Sequence, residues 1–419
     1  MKKILIISYF YPPSFFVGGK RIAAWAEHLH ESGIYPIVIT RNWNPNQAEI
    51  TDKVIDNSYK HQKENTHELY QLPFVYSLRD RLHQKNRWPL LRKALTFVEI
   101  FLSYFFISAN KTHLSFYKKA IEMLKNNPDI DTLIISGKPF QSFFIGYRLK
   151  KKFPDLKWIP DFRDEWTTHP LHKKNASFLL RILDKWAEKK WTSNAHTILA
   201  TSKNSGESIS KYVGKSYKTI LNGFNGEIKP FHPNPNTDKI ILLYIGTIYK
   251  NQHLEPYLEA AISLYKEGNP IQLHWAGIDL NPMEGKRIRA YAQKWPDLFV
   301  VHSFLKSHEL EVLFQKCHFF LMSSYSGFAG QIPVKLFDYI QQNKPILLWD
   351  KDESEYFHII SETNSGLAFE TPEDWKKFMQ HYFNSNFDYS FFKPNLSKSS
   401  LYSRRNQTKV LANYIREIN

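Results

Sequence analysis

The sequence predicts an α/β protein of two units, each an open, mostly parallel sheet flanked by helices. Three observations carry this. Short isoleucine-rich runs alternate with helical segments, the alternation restarts after a proline-rich stretch, and the basic excess is confined to the first half. At roughly 100–200 residues per domain, 419 residues are enough for two full cores.

Residues 3–8 (KILIIS) form an unbroken apolar run, the pattern of a parallel strand buried on both faces. Two lysines before an apolar run also suit an export signal. The aromatics and prolines that follow, and the lack of a small-residue cleavage site, favour a strand. The loop YFYPPSFFVGGKR then leads to a helix over 22–31 that stops at Gly33, and 35–40 (YPIVIT) is the next strand. Together these make a βαβ unit. Further strands are expected at 131–137, 156–162, 196–201 and 217–223. Residues 226–238 (GEIKPFHPNPNTD) hold three prolines without periodicity and read as a linker. The second alternation places strands at 239–246, 271–277, 298–304, 318–324 and 344–349. The domains expected are therefore 1–225 and 239–397, with a terminal helix over 398–419.

Residues 1–225 carry 35 Lys+Arg against 19 Asp+Glu, and residues 226–419 carry 21 of each, so the whole net charge of +16 lies in the first half. That asymmetry points to an anionic partner for this half, or else to a lysine-rich solvated surface. Nucleic acid is disfavoured, because no zinc, helix-turn-helix or aromatic RNA-binding signature is present. The single cysteine, Cys317, excludes a disulfide framework and a cysteine zinc site. Residues 94–107 (ALTFVEIFLSYFFI) are almost wholly apolar with basic flanks, too short to span a bilayer, which takes ~20 residues. Two readings stay open: a buried core helix, or an interfacial segment on anionic lipid.

Four clusters carry candidate chemistry. Gly18 and Gly19 precede Lys20 and Arg21 at a helix start, either as a tight turn or as a place where backbone N–H groups meet an anion. PDFRDEW, following a strand, supplies Asp161, Arg163, Asp164 and Glu165 at a carboxyl strand end, where α/β sheets bind ligands. It offers either a structural Asp–Arg pair or a carboxylate for an acceptor hydroxyl. YIGTIYKNQ offers Gly246, Thr247 and Lys250 to a diphosphate. GFAGQIPVKLFDYIQQNKPIL puts Pro333 at a helix start, with Lys335 and Asp338 three apart on one face.

In this order, YFYPPSFFVGGKR, PDFRDEW, TSKNS, LNGFN, YIGTIY, SFLKSHELEVLFQKCHFFLM, IPVKLFDYIQQNKPIL and LYSRRNQ resemble the GT-B glycosyltransferases, specifically glycosyltransferase family 4 of bacterial surface-polysaccharide pathways. The resemblance covers nearly the whole chain. It implies two Rossmann-like domains facing a cleft, with the terminal helix crossing back to the first. A nucleotide sugar, UDP-linked at the family level, would sit on the second domain and a glycan or lipid-linked acceptor on the first. Gly18, Gly246, Thr247, Lys250, Leu305, Lys306, Gln331, Pro333, Lys335 and Asp338 would bind the donor. Asp164 and Gly19 would serve catalysis, and Lys20, Arg21 and Arg163 the acceptor. Transfer would be retaining, without metal or cofactor, by a cytoplasmic protein in peripheral contact with the membrane.

The family usually carries two glutamates eight positions apart. Here they are Gly330 and Asp338, and Thr247 stands at the usual place of a phosphate-binding arginine. Two alternatives share the fold: a nucleotide-sugar 2-epimerase, and a degenerate protein that binds glycans or a partner without catalysis.

Overall fold

The isoleucine-rich runs become the central strands of two sheets. The computed structural model describes residues 1–418 apart from 15, 17, 46–55, 171, 173–176, 235–237, 304, 326 and 328–329. The chain divides into one unit of Met1–Asn222 with Arg404–Asn419, and a second of Gly223–Ser403.

The first unit holds β1 (Lys2–Ser8), β2 (Ile34–Arg41), β3 (Lys60–Lys63), β4 (Glu68–Leu72), β5 (Thr132–Gly137), β6 (Lys157–Phe162), β7 (Ile198–Ala200) and β8 (Tyr217–Thr219). Their order is β3-β4-β2-β1-β5-β6-β7-β8, parallel except for β3, which runs antiparallel to β4. Alternate residues of the central strands feed two cores: Leu5 and Ile7 one face, Ile4 and Ile6 the other. The order reverses between β1 and β5, which places a ligand crevice at their carboxyl ends.

The second unit holds β9 (Ile240–Ile245), β10 (Ile271–Ala276), β11 (Phe299–His302), β12 (Phe319–Ser323), β13 (Ile346–Trp349) and β14 (Gly366–Ala368). All are parallel, in the order β11-β10-β9-β12-β13-β14, so the corresponding crevice lies between β9 and β12.

Two expectations need correction. The 226–238 stretch is not a free linker. Among its described residues, Lys229 pairs with Glu311, Phe231 packs edge-on against Tyr389 and Phe392, and Asn234 reaches the Lys316 carbonyl, all within the second unit. The terminal helix is also divided. A short helix, Leu396–Ser400, stays with the second unit, and Arg404–Glu417 belongs to the first. There Leu411, Ala412 and Ile415 are buried in one cluster with Ile22 and Trp25, and Arg405 pairs with Glu31.

Of the two readings left open for the apolar segment, the core helix is not what forms. In the helix Pro89–Ser103, Leu90 is 81% exposed, and Phe97, Val98, Phe101 and Leu102 also face outward. Only Ser103 of that helix and the adjacent Tyr104 are buried. Rings run in contact from Phe97 through Phe101 and Phe105 to Trp186. Trp186 lies on a second helix, Phe178–Thr192, which exposes Phe178, Leu179 and Ile182 as well.

Candidate functional site

In the second unit, β9 ends at Gly246, whose φ of +95° only glycine adopts without strain. A side chain there would meet nothing within 4 Å, so the space in front of it is open. The following loop is held through its carbonyls. Tyr244 Oη donates to the Thr247 carbonyl at 3.0 Å, Asn281 Nδ2 to that of Ile248, and Arg287 to those of Tyr249 and Gln252. Arg287 is fixed in turn by a two-point pair with Glu255 at 2.6 Å. Buried Gln252 accepts from the Tyr249 N–H. Thr247 is half-buried, and Lys250 is exposed.

The helix Val334–Gln342 begins at Pro333 with no side-chain cap, which leaves first-turn N–H groups and the positive end of its dipole open to an anion. The hydroxyl of buried Tyr339 on this helix accepts the Ile245 N–H at 2.9 Å and seats the helix against the end of β9. Lys335 lies over the Tyr244 ring, its Nζ 3.5 Å from the centroid. That Nζ is buried and has no hydrogen-bond partner, and burial holds its pKa well below the usual lysine value. A buried amine without an anion is an incomplete arrangement, costly unless something else pairs with it. Asp338 remains partly exposed on the same helix, as does Gln331 ahead of it. Leu305 is half-buried. Lys306 is exposed, its N–H donating to Glu309 Oε2 at 2.7 Å to open the next helix. Gly330, at the first glutamate position, is described, while Phe304 and residues 328–329 lie outside the described residues.

In the first unit, the β1 loop and the end of β6 meet. Arg163 lies where a Gly18 side chain would be, its Nη1 1.3 Å from that Cβ position, and a Gly19 Cβ would be 3.0 Å from the Tyr11 backbone. Both glycines therefore serve close packing of the loop. Asp164, partly exposed, lies 3.6 Å from Lys138 Nζ and 3.8 Å from Arg163 Nε, and Lys20 is exposed.

Arg21 does not face an acceptor. Its guanidinium is buried, donating to Asp161 Oδ1 at 3.1 Å and to the carbonyls of Ile220 and Leu221. Asp161 is wholly buried and takes a further hydrogen bond from Ser136. The structural partner of Asp161 is therefore Arg21 and not its neighbour Arg163. Sequence reasoning missed Tyr244, Gln252, Asn281, Arg287 and Tyr339. Tyr244, Gln252 and Tyr339 lie within the motifs already singled out but without an assigned role, and nothing local marks Asn281 and Arg287, which act on a loop more than 30 residues away.

Residues 226–382 match the protein family described as Glycosyl transferases group 1. No curated protein matches the sequence. Among solved structures the chain is similar over its full length to sucrose-phosphate synthase from Thermosynechococcus elongatus, at 15% identity and a TM-score of 0.65 with 99% of that chain covered. It is likewise similar to the lipopolysaccharide outer core galactosyltransferase WaaB, at 14% identity, TM-score 0.57 and full coverage of both chains. The third is Anabaena Alr3699/HepE in complex with UDP and glucose, at 10% identity, TM-score 0.58 and full coverage of both. The chain has the GT-B fold, and the stretch similar to the glycosyl transferases group 1 family lies within its second unit.

Proposed function

We propose that this protein moves a sugar from a UDP-sugar to a glycan or lipid-linked acceptor, with retention, as a family 4 enzyme of bacterial surface-polysaccharide or glycoconjugate synthesis. The observation that carries the donor site is the unpartnered amine of Lys335 beside an uncapped helix start and the open approach to Gly246. A diphosphate supplies the anion that this arrangement lacks.

In the reaction the bond between the anomeric carbon and the donor phosphate oxygen breaks, and an acceptor hydroxyl oxygen bonds to that carbon on the same face. The hydroxyl proton passes to the departing phosphate. Lys335, Lys250 and the N–H groups at the Val334 helix start stabilise the charge that develops on the diphosphate, Asp338 holds the ribose, and Asp164 orients the acceptor hydroxyl. No metal or cofactor enters the scheme.

The same reading places the first unit on the inner face of the cytoplasmic membrane. The exposed rings from Phe97 to Trp186 would enter the acyl boundary, with Arg81, Lys85, Arg87, Arg92 and Lys93 against anionic headgroups. No helix among the described residues is long and apolar enough to cross a membrane.

Incubation of purified protein with a panel of UDP-sugars, with and without lipid-linked acceptors, tests the proposal. Release of UDP coupled to acceptor glycosylation supports it. A second reading, binding without catalysis, is favoured by Gly330 at the first glutamate position. UDP-sugar binding without turnover would select that reading, and epimerised donor in the absence of acceptor would select an epimerase.

A further inference from the structure

We infer that the first unit carries a separate pocket for a neutral polyol such as a sugar ring, formed by the loops after β1 and β2 and one face of the β3–β4 hairpin. A cavity of ≈ 520 Å³ opens there, within the roughly 300–1,000 Å³ of small-molecule sites. It is displaced from the crevice between β1 and β5, where Arg163 and Asp164 stand, toward the β3 edge of the sheet. Alternation along the hairpin builds one wall, since Lys60 opposes Gln71 and Gln62 opposes Leu69, and all four line the cavity.

The polar groups suit hydroxyls. Asn44 is buried, its Oδ1 accepts the Asp56 N–H at 3.2 Å, and its Nδ2 has no hydrogen-bond partner. Asn44 lines the cavity, and an acceptor entering there would supply the partner that its buried amide donor lacks. Gln62 and Gln71 bring further carboxamides, which donate and accept as a hydroxyl does.

The charges argue against an anion. Lys60 is paired with Asp56 at 2.5 Å, and burial depresses the His67 pKa, which keeps the ring neutral near pH 7. Among the described residues, the one remaining charged group at the wall is acidic, Glu64. Pro12, Pro13 and Pro45 give C–H surface at the mouth, suited to the apolar face of a sugar ring. In its functional meaning this pocket rests on the acceptor role proposed for the first unit, and it would hold a sugar unit of the acceptor.

The test uses the full chain, with saturation-transfer NMR against methyl glycosides of glucose, galactose, mannose and N-acetylglucosamine, and a separate UDP titration. Gln62→Trp fills the cavity from an exposed edge-strand position, and Asn44→Ala removes the unpaired donor; circular dichroism checks both folds. The expected result is glycoside binding by wild type, lost in Gln62→Trp and weakened roughly tenfold in Asn44→Ala, with UDP binding unchanged. A wild type that binds UDP but no glycoside, or inorganic phosphate in the glycosides' place, overturns the pocket and leaves the donor site standing. So does a folded Gln62→Trp that binds glycosides like wild type. Glycoside binding without UDP binding would instead uphold the pocket and remove the donor reading.

Discussion

Replacing Lys335 by methionine should move stability and affinity in opposite directions. Without ligand, the Lys335 Nζ is buried and unpaired above the Tyr244 ring. Such a group costs about 1–3 kcal/mol. Methionine keeps the length of the side chain and removes the amine, so the free protein should gain stability of that order in urea unfolding. UDP binding should weaken, because a charge-assisted hydrogen bond contributes about 1.5–3 kcal/mol, or roughly 10- to 150-fold in Kd. The pH dependence follows from the depressed pKa. Between that value and about 10.4, the unfolded chain holds a proton that the folded chain lacks, so wild-type stability rises with pH across this window. The advantage of the methionine variant should therefore be largest near neutrality and shrink as pH approaches 10.4. Diphosphate binding should recharge the amine, which calorimetry would register at pH 8 as proton uptake, through heats that vary with buffer ionisation enthalpy. A variant that is less stable without ligand and binds UDP as wild type would refute the reasoning.

Other substitutions separate structural from functional roles. Arg21→Met leaves Asp161 buried without its partner and should cost about 3–5 kcal/mol in denaturant unfolding; a near-neutral effect would show that the pair is not structural. Asp164→Asn should lower turnover per bound donor while UDP affinity holds, and kinetics showing the reverse would remove Asp164 from acceptor chemistry. Phe101→Glu/Phe105→Glu should keep its circular dichroism spectrum, because both side chains are exposed, yet fail to sediment with anionic liposomes. Wild-type binding should also fall with salt, and a folded variant that still sediments would end the membrane reading. Burial raises the Glu188 pKa to about 7, so the folded chain holds the extra proton between roughly pH 4.5 and 7 and loses stability as pH rises through that window. Glu188→Gln should flatten this slope, which melting curves across the range would reveal.

The central strands were legible because strands covered on both faces must be apolar through their middle, as ILII in KILIIS and IILLYI in KIILLYIG are. The strands that escaped notice lack that signal: β3 (KHQK) is an exposed edge with no apolar residue, β4 (ELYQL) mixes Glu68 and Gln71 with its apolar residues, and β14 (GLA) is three residues long. Gly246 and the Val334 helix start were visible from local turn and helix-start chemistry. The role expected of Arg21 was wrong for a long-range reason. Its place beside Gly18 and Gly19 suggested a ligand, whereas its charge is answered by Asp161, 140 positions away. The apolar 94–107 segment was visible as a segment, but only the fold showed that it faces outward and meets Trp186 of another helix.

The return of Arg404–Glu417 to the first unit makes the second unit, in topological terms, an insertion. The face formed by Ile22 and Trp25 is synthesised early but gets its cover, Leu411 and Ile415, only once Arg404–Glu417 has been made. During translation this unit must wait, with apolar surface uncovered, while some 180 residues of another unit are made and fold. Ribosome stalling or a nonsense codon anywhere after Asn222 would thus leave a sheet without its closing helix, a species marked for aggregation or proteolysis. Synthesis of Arg404–Glu417 is in effect a checkpoint on the first unit.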